Sequence, residues 1–263
     1  MESTLHPNHR FMLSWAEGQP PGARILDFGC GAGEVVAAGL ADGRDIYGVE
    51  IFEGGSHARS EVERRGLFNR RVFEVRGGRL PFADGSFDLA VSNTVFEHVE
   101  DLEAALSEIH RVLRPGGRLV AFFPSYEVVR ENHFGVPFVH WLRKGSRHRE
   151  AWATLWRRLG GGRHPEGRSA PEWARRALEW IDRYTFYRRR SVIERSFGRR
   201  FRTFPAEEVY IRFRLLLHRR LRALAPLVRI PWVVPWAREL CRRWGGLVIV
   251  ARKEGPPLGG KGA

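Results

Sequence analysis

The segment RILDFGCGAG, residues 24–33, decides the fold class of this 263-residue chain. Its first half is an apolar run typical of a buried strand, and the glycine-rich turn Gly29–Gly33 follows, with a helix predicted over Glu34–Leu40. Glycines let a backbone approach a ligand closely, and the N-terminus of the next helix offers unpaired N–H groups. This strand, turn and helix therefore predict a ligand-binding turn in an α/β protein.

The rest of the first half repeats the alternation of strands and helices. The further predicted elements are strands at Asp45–Glu50, Arg71–Val75, Phe87–Ser92 and Arg118–Phe123, and helices at Ser56–Gly66 and Asp101–Leu113. Short connections between such elements indicate a parallel sheet covered by helices on both faces, with ligands bound beyond the carboxyl ends of the strands. The predicted fold class is therefore α/β.

Glu50 lies at the end of the second predicted strand, 17 residues after Gly33. A carboxylate at this place can accept hydrogen bonds from both hydroxyls of a ribose. The pattern predicts a nucleoside-containing cofactor, but the spacing alone does not separate a nicotinamide enzyme from a methyltransferase.

The composition excludes several classes of protein. With 43% hydrophobic and 12% aromatic residues, the chain can build a full core and is neither disordered nor fibrous. Its two cysteines, Cys30 and Cys241, are too few for a disulfide scaffold or a cysteine-rich zinc site. The first residues lack a signal-peptide pattern, and no apolar stretch reaches the length of a membrane-spanning helix, so we expect a cytoplasmic protein.

Charge is distributed unevenly along the chain, whose formal net charge is +14. Residues 1–130 carry 14 Lys+Arg and 19 Asp+Glu, a net charge of −5, whereas residues 131–263 carry 30 and 11, a net charge of +19. Eight of the nine tryptophans also lie in the second half. The two halves therefore have different roles.

Four segments occur in a family-specific order: ILDFGCGAG at 25–33, YGVE at 47–50, LPFADGSFDLAVSNTVFEHVED at 80–101 and HRVLRPGGRL at 110–119. Together they resemble the class I S-adenosylmethionine-dependent methyltransferases, and most closely the small-molecule group related to ubiquinone and sterol methyltransferases. The resemblance implies a Rossmann-like seven-stranded sheet and S-adenosyl-L-methionine as the cofactor. Its last two strands are expected near Phe201–Phe204 and Leu247–Arg252.

The same resemblance implies which residues bind the cofactor, namely Asp27, Gly29, Cys30, Gly31, Gly33, Glu50, Ile51, Asn93 and Thr94. Asp27 and the glycine turn would hold the methionine portion, Glu50 the ribose hydroxyls and Ile51 the adenine. Asn93 and Thr94 would approach the reacting methyl group. Where many relatives have an acid for the adenine amino group, this chain has Arg76-Gly77-Gly78-Arg79, so adenine recognition must use backbone groups or another side chain.

Methyl transfer from a sulfonium is an in-line displacement that depends mainly on alignment. The sequence contains neither a nucleophilic triad nor a run of metal ligands, so we expect a metal-independent reaction. A hydroxyl acceptor would benefit from a general base. His98 follows the fourth strand, and the resemblance implies that Phe96–His98 line the passage to the acceptor. His133 and His140 follow the fifth strand at the same mouth of the sheet, where Tyr126 would orient the acceptor. The alternative for His98 is a helix-start histidine bonded to a backbone carbonyl, and for the other three it is packing within a loop.

The basic half contains two insertions into the expected core. Helices are predicted at 136–144, 149–159, 171–183 and Ser191–Phe197, followed by a Leu- and Arg-rich segment at 209–236 that Pro226, Pro231 and Pro235 interrupt.

Three interpretations of this half remain open. It forms a cation-rimmed lid over a lipid-like or anionic acceptor and rests on an anionic membrane surface, or its arginines and aromatics bind RNA, or the arginines are an ordinary solvated face.

These observations lead to one expected organisation. Residues 1–125 form the cofactor-binding core, 126–200 a helical lid with the last core helix, and 201–263 the last two strands with a second helical insertion. The expected activity is methylation of a small-molecule acceptor, with oxygen favoured as the methylated atom and with an RNA methyltransferase as the alternative. Carbon and nitrogen stay open as the methylated atom because the cofactor motifs do not encode the nucleophile. No metal-binding residue is predicted.

Overall fold

Seven strands form one mixed sheet in the computed structural model, which describes residues 5–52 and 57–255. The strands are β1 Arg24–Phe28, β2 Asp45–Glu50, β3 Val72–Glu74, β4 Phe87–Asn93, β5 Leu113–Phe123, β6 Arg202–Pro205 and β7 Leu247–Arg252. Their order across the sheet is β3-β2-β1-β4-β5-β7-β6. The first five strands are parallel, and β7 runs antiparallel to both β5 and β6. The predicted α/β sheet of seven strands is therefore confirmed.

The chain order reverses between β1 and β4, because β2 and β3 lie on one side of β1 whereas β4 and β5 lie on the other. In sheets of this type, ligands bind in the crevice that opens at such a switch point, outside the carboxyl ends of the strands. The glycine turn leaves β1 at this edge, and the residues that follow β2 and β4 meet it there.

Nine α-helices accompany the sheet in the described residues. They are α1 Pro7–Glu17, α2 Glu34–Ala41, α3 Ala58–Arg64, α4 Leu102–Val112, α5 Arg147–Arg158, α6 Ala170–Tyr184, α7 Arg190–Gly198, α8 Glu207–Leu217 and α9 Val234–Trp244. Successive strand residues point to opposite faces, so Ile25 and Leu89 belong to one core layer and Leu26 and Ala90 to the other. Helices α1, α2, α3, α8 and α9 pack on the first layer, and α4 and α7 on the second.

The insertion between β5 and β6 has a small core of its own. Helices α5 and α6 pack around the buried residues Val139, Ala153 and Trp173. Arg149 is also buried, and it donates hydrogen bonds to both carboxylate oxygens of Asp182 at 2.8 and 2.7 Å and to the carbonyl of Val139 at 2.9 Å. A buried guanidinium needs such partners because its desolvation is costly. This ion pair therefore joins α5 and α6.

Several predicted boundaries differ from the structure. The helix predicted at 136–144 is wrong: this segment contains only a 3-10 turn at Val139–Trp141. Pro137 disfavours helical geometry in the residue before it, and Phe138 adopts a left-handed conformation with φ of 59°.

The remaining differences are smaller. The second insertion is interrupted as expected, because a 3-10 helix at Arg222–Arg229 separates α8 from α9. Ser56, residues 1–4 and residues 256–263, which belong to predicted elements or domains, lie outside the described residues.

Candidate active site

The turn after β1 provides an open backbone surface. Gly29, Gly31 and Gly33 have φ values of 74°, 54° and 74°, in the left-handed region that glycine tolerates. A Cβ on Gly29 would lie 2.3 Å from Val95 Cγ2, so only glycine fits against the loop after β4. A Cβ on Gly31 would meet no described atom within 4 Å, so at this point the backbone faces open space. The turn can therefore accept a ligand at Gly31.

Glu50 is fixed against this turn. Its Oε2 accepts a hydrogen bond from the Gly31 N–H at 2.9 Å, and its Oε1 accepts one from the Ile51 N–H at 2.8 Å. The Ile51 side chain is half exposed. Each carboxylate oxygen can accept more than one hydrogen bond, so Glu50 retains acceptor capacity for two hydroxyl groups.

Asp27 places a second carboxyl group at this edge of the sheet. It lies in β1 and is 3% exposed. Burial, with smaller contributions from the negative charges of Glu50 and Glu34, raises its pKa to about 8. A ligand cation placed here would stabilise the ionised carboxylate.

The Cys30 side chain points away from this surface. It is buried in the core, where a Cβ on Gly48 would lie 2.7 Å from its Sγ. Burial also raises the pKa of its thiol. Only the backbone of Cys30 is therefore available to a ligand at the turn.

The end of β4 carries two features that often mark functional sites. Thr94 has a φ of 53°, unusual for a β-branched residue, although its N–H donates to the Phe122 carbonyl at 2.7 Å. The neighbouring Asn93 Oδ1 is buried and has no hydrogen-bond partner in the described chain. An unsatisfied amide oxygen beside a strained residue is costly unless a ligand completes it.

Two of the predicted bases meet directly. His98 Nε2 and His133 Nε2 are 3.1 Å apart, although the residues come from loops after different strands. His98 Nδ1 lies 2.6 Å from the Tyr184 carbonyl oxygen, and His133 Nδ1 lies 2.7 Å from Glu131 Oε1. Trp180 packs against both imidazole rings. The carbonyl contact proposed as the structural alternative for His98 is present, together with the contact to His133.

Glu131 orients His133 through the contact at Nδ1. It is fully buried and accepts further hydrogen bonds from the Tyr187 hydroxyl at 2.9 Å and the Phe134 N–H at 2.7 Å. Burial by itself would raise the pKa of Glu131, but hydrogen bonds and the charge of His133 outweigh it and lower this pKa to about 2. Glu131 is therefore ionised at neutral pH. Sequence reasoning missed Glu131 and Tyr187, although an acid two residues before His133 was a usable signal.

Glu97 completes this group. It is 1% exposed, and neither of its carboxylate oxygens has a hydrogen-bond partner among residues 5–52 and 57–255. Burial, with a smaller contribution from Glu131, raises its pKa to about 8. One ligand atom each from Glu97, His98 and His133 lies within 4.8 Å of the others.

The third predicted base, His140, and the predicted orienting residue Tyr126 lie beside this group. His140 Nε2 is 3.1 Å from the Tyr126 carbonyl oxygen, and the His140 ring is 4.9 Å from that of Tyr187. The Tyr126 ring lies 5.6 Å from the Arg189 guanidinium. The His140 ring therefore packs against Tyr187, whose hydroxyl contacts Glu131 and His133.

A cavity of about 490 Å³ opens next to His133. Its lining combines tryptophan rings with cationic side chains, and its main residues are His133, Arg163, Arg168, Trp173, Arg176 and Trp180. A pocket of this composition suits a flat or apolar group that carries negative charge.

Residues 26–121 match the protein family described as a methyltransferase domain. A demethylmenaquinone methyltransferase of Symbiobacterium thermophilum is 35% identical over 130 residues, which are 46% of this chain and 50% of that protein. A sterol 24-C-methyltransferase of Gibberella zeae is 35% identical over 117 residues, 41% of this chain and 30% of that protein. The chain thus matches half or less of the length of these curated relatives.

The fold is similar to that of a solved S-adenosylmethionine-dependent methyltransferase from Mesorhizobium loti. The TM-score is 0.50 at 18% identity, over 94% of this chain and 96% of the other. The sheet order and the glycine turn define a Rossmann-like fold, of the kind that binds nucleoside cofactors at its switch point. With the family match, they identify residues 26–121 as a methyltransferase domain.

In the described parts of the chain, none of the helices has the length and apolar character needed to cross a bilayer.

Proposed function

We propose that this protein transfers a methyl group from S-adenosylmethionine to a small-molecule acceptor. The observation that carries the proposal is the acidic cup at the switch point, where Glu50 is bonded to the open turn at Gly31 and Asp27 lies buried beside it. S-Adenosylmethionine carries an ammonium and a sulfonium cation as well as a ribose. The cup therefore matches both the charge and the hydroxyl groups of this cofactor.

In this proposal each group of the cup has a separate task. Glu50 accepts hydrogen bonds from the ribose hydroxyls while its bond to Gly31 holds the turn in place. Asp27 faces the cationic methionine portion, Ile51 covers the adenine, and Asn93 aligns the reacting end through its unpaired amide oxygen. When bound, the cofactor supplies the methyl group, and its carbon–sulfur bond breaks as the bond to the acceptor forms. Alignment of this kind contributes up to roughly 7–11 kcal/mol in favourable cases.

Acceptor activation is assigned to the pair of His98 and His133. Both rings use Nδ1 for a protein hydrogen bond, which leaves Nε2 as the reactive atom of each. A hydroxyl acceptor that reaches these atoms would lose its proton as the methyl group arrives, an effect worth roughly 100- to 10,000-fold in rate. This argument favours oxygen as the methylated atom.

The cavity beside His133 supports an anionic acceptor with an aromatic or apolar body. Trp173 and Trp180 provide its walls. Arg163 and Arg176 add positive charge, whereas the charge of Arg168 is paired with Glu166, which also lines the cavity. Since His133 belongs to both the cavity and the histidine pair, an acceptor held there would lie next to the activating atoms.

Peripheral contact with an anionic membrane is supported by the exposed surface of the second insertion. On α9, Trp236, Leu240 and Trp244 recur every four residues and are 76%, 58% and 64% exposed. Leu221, which caps the neighbouring 3-10 helix, and Leu224 and Leu227 within it recur every three residues, which is the period of that helix, and are also exposed. Exposed arginines lie beside them, at 219, 220 and 222. Apolar stripes next to arginines are typical of helices that lie on anionic lipid.

The test uses methyl-labelled S-adenosylmethionine and a cell extract separated into lipid, polar-metabolite and RNA fractions. We expect label in the lipid or metabolite fraction, and much less label with the Glu50→Ala variant at a cofactor concentration near the wild-type Kd. Label that appears in RNA and disappears after ribonuclease treatment would instead make the basic half a nucleic-acid surface. Absence of label from every fraction would contradict the proposed activity.

A further inference from the structure

The histidine pair has a proton arrangement that its partners dictate. A carbonyl oxygen only accepts hydrogen bonds, so His98 must carry its hydrogen on Nδ1, which faces the Tyr184 carbonyl. Both oxygens of Glu131 already accept hydrogen bonds, Oε1 from the Tyr187 hydroxyl and Oε2 from the Phe134 N–H, so His133 also donates to Oε1 from Nδ1. In their neutral forms both rings therefore present a lone pair at Nε2.

These two lone pairs face each other. The Nε2 atoms are 3.1 Å apart, and two acceptors at this separation repel each other unless a cation lies between or beside them. Two imidazole nitrogens bound to one zinc ion at about 2.0–2.1 Å with a tetrahedral angle lie roughly 3.3–3.4 Å apart. The observed separation of 3.1 Å is close to this distance.

Glu97 supplies the anionic ligand. It is fully buried, and both of its carboxylate oxygens lack partners within the described part of the chain, although one ligand atom lies within 4.8 Å of the two histidine nitrogens. A proton shared by the two histidines would leave both oxygens of Glu97 without a partner. A metal ion bound by the two histidines could also be bound by Glu97, which would satisfy its buried oxygens.

We propose that His98, His133 and Glu97 bind one divalent transition-metal ion. Two imidazoles and one carboxylate are a ligand set that proteins use for zinc, and three protein ligands leave one tetrahedral position for water or a substrate oxygen. The Nδ1 contacts to the Tyr184 carbonyl and to Glu131 are the outer hydrogen bonds that orient histidine ligands in such sites.

This site differs from the metal-free expectation drawn from the sequence. That expectation rested on the lack of a run of ligands, whereas here Glu97 and His98 are adjacent and His133 lies 35 residues later. If the proposed function holds, the ion would polarise an acceptor hydroxyl, and the histidines would act through it instead of removing the proton themselves. Transfer from the sulfonium would still require no metal.

The experiment titrates zinc chloride into untagged, chelator-dialysed protein by calorimetry at one pH. We expect one ion per chain for the wild type. His133→Ala and Glu97→Gln should lose more than the roughly 10–100-fold that an outer-shell change costs, and Glu131→Gln should fall within that range. His148→Ala, which removes an exposed histidine of α5, is the matched control and should bind like the wild type. Cobalt added in place of zinc should give a ligand-field absorption in the visible that His133→Ala lacks.

S-Adenosylmethionine affinity and thermal unfolding of the same preparations separate the outcomes. Zinc binding lost from variants that still fold and bind the cofactor supports the site. If the wild type binds no stoichiometric zinc, or binds zinc with the same affinity as His133→Ala, the inference is overturned. The 3.1 Å contact would then be explained by a proton shared between His98 and His133. Zinc binding without cofactor binding would count against the proposed function only.

Discussion

Replacing Glu50 by alanine removes two kinds of interaction at once. The carboxylate fixes the glycine turn through its 2.9 Å bond from the Gly31 N–H, and in our proposal it also accepts the two ribose hydroxyls. The turn retains its backbone bonds from Gly29 and Cys30 to the Val49 carbonyl, at 2.9 and 3.0 Å. We therefore expect the loss to fall on cofactor affinity more than on folding.

The magnitude follows from the number of hydrogen bonds. A hydrogen bond to a charged group contributes about 1.5–3 kcal/mol, and Glu50 is partly exposed, so the lower value is appropriate. Two ribose bonds then give about 3 kcal/mol, or roughly 100-fold in Kd. Glu50→Gln keeps one oxygen as an acceptor, so this variant should lose about half as much binding free energy, which is roughly a tenfold rise in Kd.

Calorimetric titration with S-adenosylmethionine measures these losses. The matched control is Glu74→Ala, because Glu74 lies directly opposite Glu50 in the register of β2 and β3 and its removal changes the net charge equally. In the structure Glu74 pairs with Arg59 and Arg76 and not with the turn. If Glu50→Ala and Glu74→Ala bind the cofactor equally well, the ribose assignment is refuted.

Three further predictions concern the cup, the insertion and the exposed surface. Because the pKa of Asp27 is raised to about 8, the free protein holds it protonated at pH 7, and a bound cation should release that proton. Affinity should then rise as the pH approaches 8, and binding heats should depend on the buffer's ionisation enthalpy; a wild type without this dependence, or an Asp27→Asn variant that keeps it, would contradict the placement. Arg149→Ala should lower the free energy of unfolding in urea by about 3 kcal/mol, since Asp182 stays partly buried without its partner; a loss below about 1 kcal/mol would count against the ion pair. Changing Trp236 and Trp244 together to glutamine should weaken binding to phosphatidylglycerol vesicles about 25-fold, because each half-immersed ring contributes about 1 kcal/mol. If the wild type binds these anionic vesicles no more tightly than neutral vesicles, contact with an anionic membrane is excluded.

The structure of β1 and of the glycine turn after it was predictable because local chemistry determines it. The apolar run of β1 and the left-handed glycines after it have few alternative structures, and β1 and β2 have the predicted bounds. The failed helix at 136–144 shows the opposite case. Its apolar residues have a helical spacing, but Pro137 and the left-handed Phe138 divide the segment, and Val139 is buried in the core of the insertion.

The histidine pair could not be derived from the sequence, because its geometry depends on distant residues. The Tyr184 carbonyl that orients His98 is 86 residues away, at the end of α6, and Trp180 of the same helix packs on both rings. Sequence position identified His98 and His133 as separate candidates. Their contact depends on how the insertion folds back past the end of β4, where the Phe186 N–H donates to the Glu97 carbonyl at 2.6 Å.

The two proposed binding sites give a physical explanation for the uneven charge of the two halves of the chain. In our proposal, the acidic half forms a cup in which the buried Asp27 and the partly exposed Glu50 favour a cationic cofactor, whereas the arginines that line the cavity of the basic half favour an anionic acceptor. The acidic cup would attract the cationic cofactor and repel the anionic acceptor, and the arginine-lined cavity would do the reverse. His133 belongs to the cavity and also contacts His98 after β4, so the compartments meet at the two groups proposed to activate the acceptor. On this view the arginines of the insertion select the acceptor, and their replacement should change which molecule is methylated while leaving cofactor affinity intact.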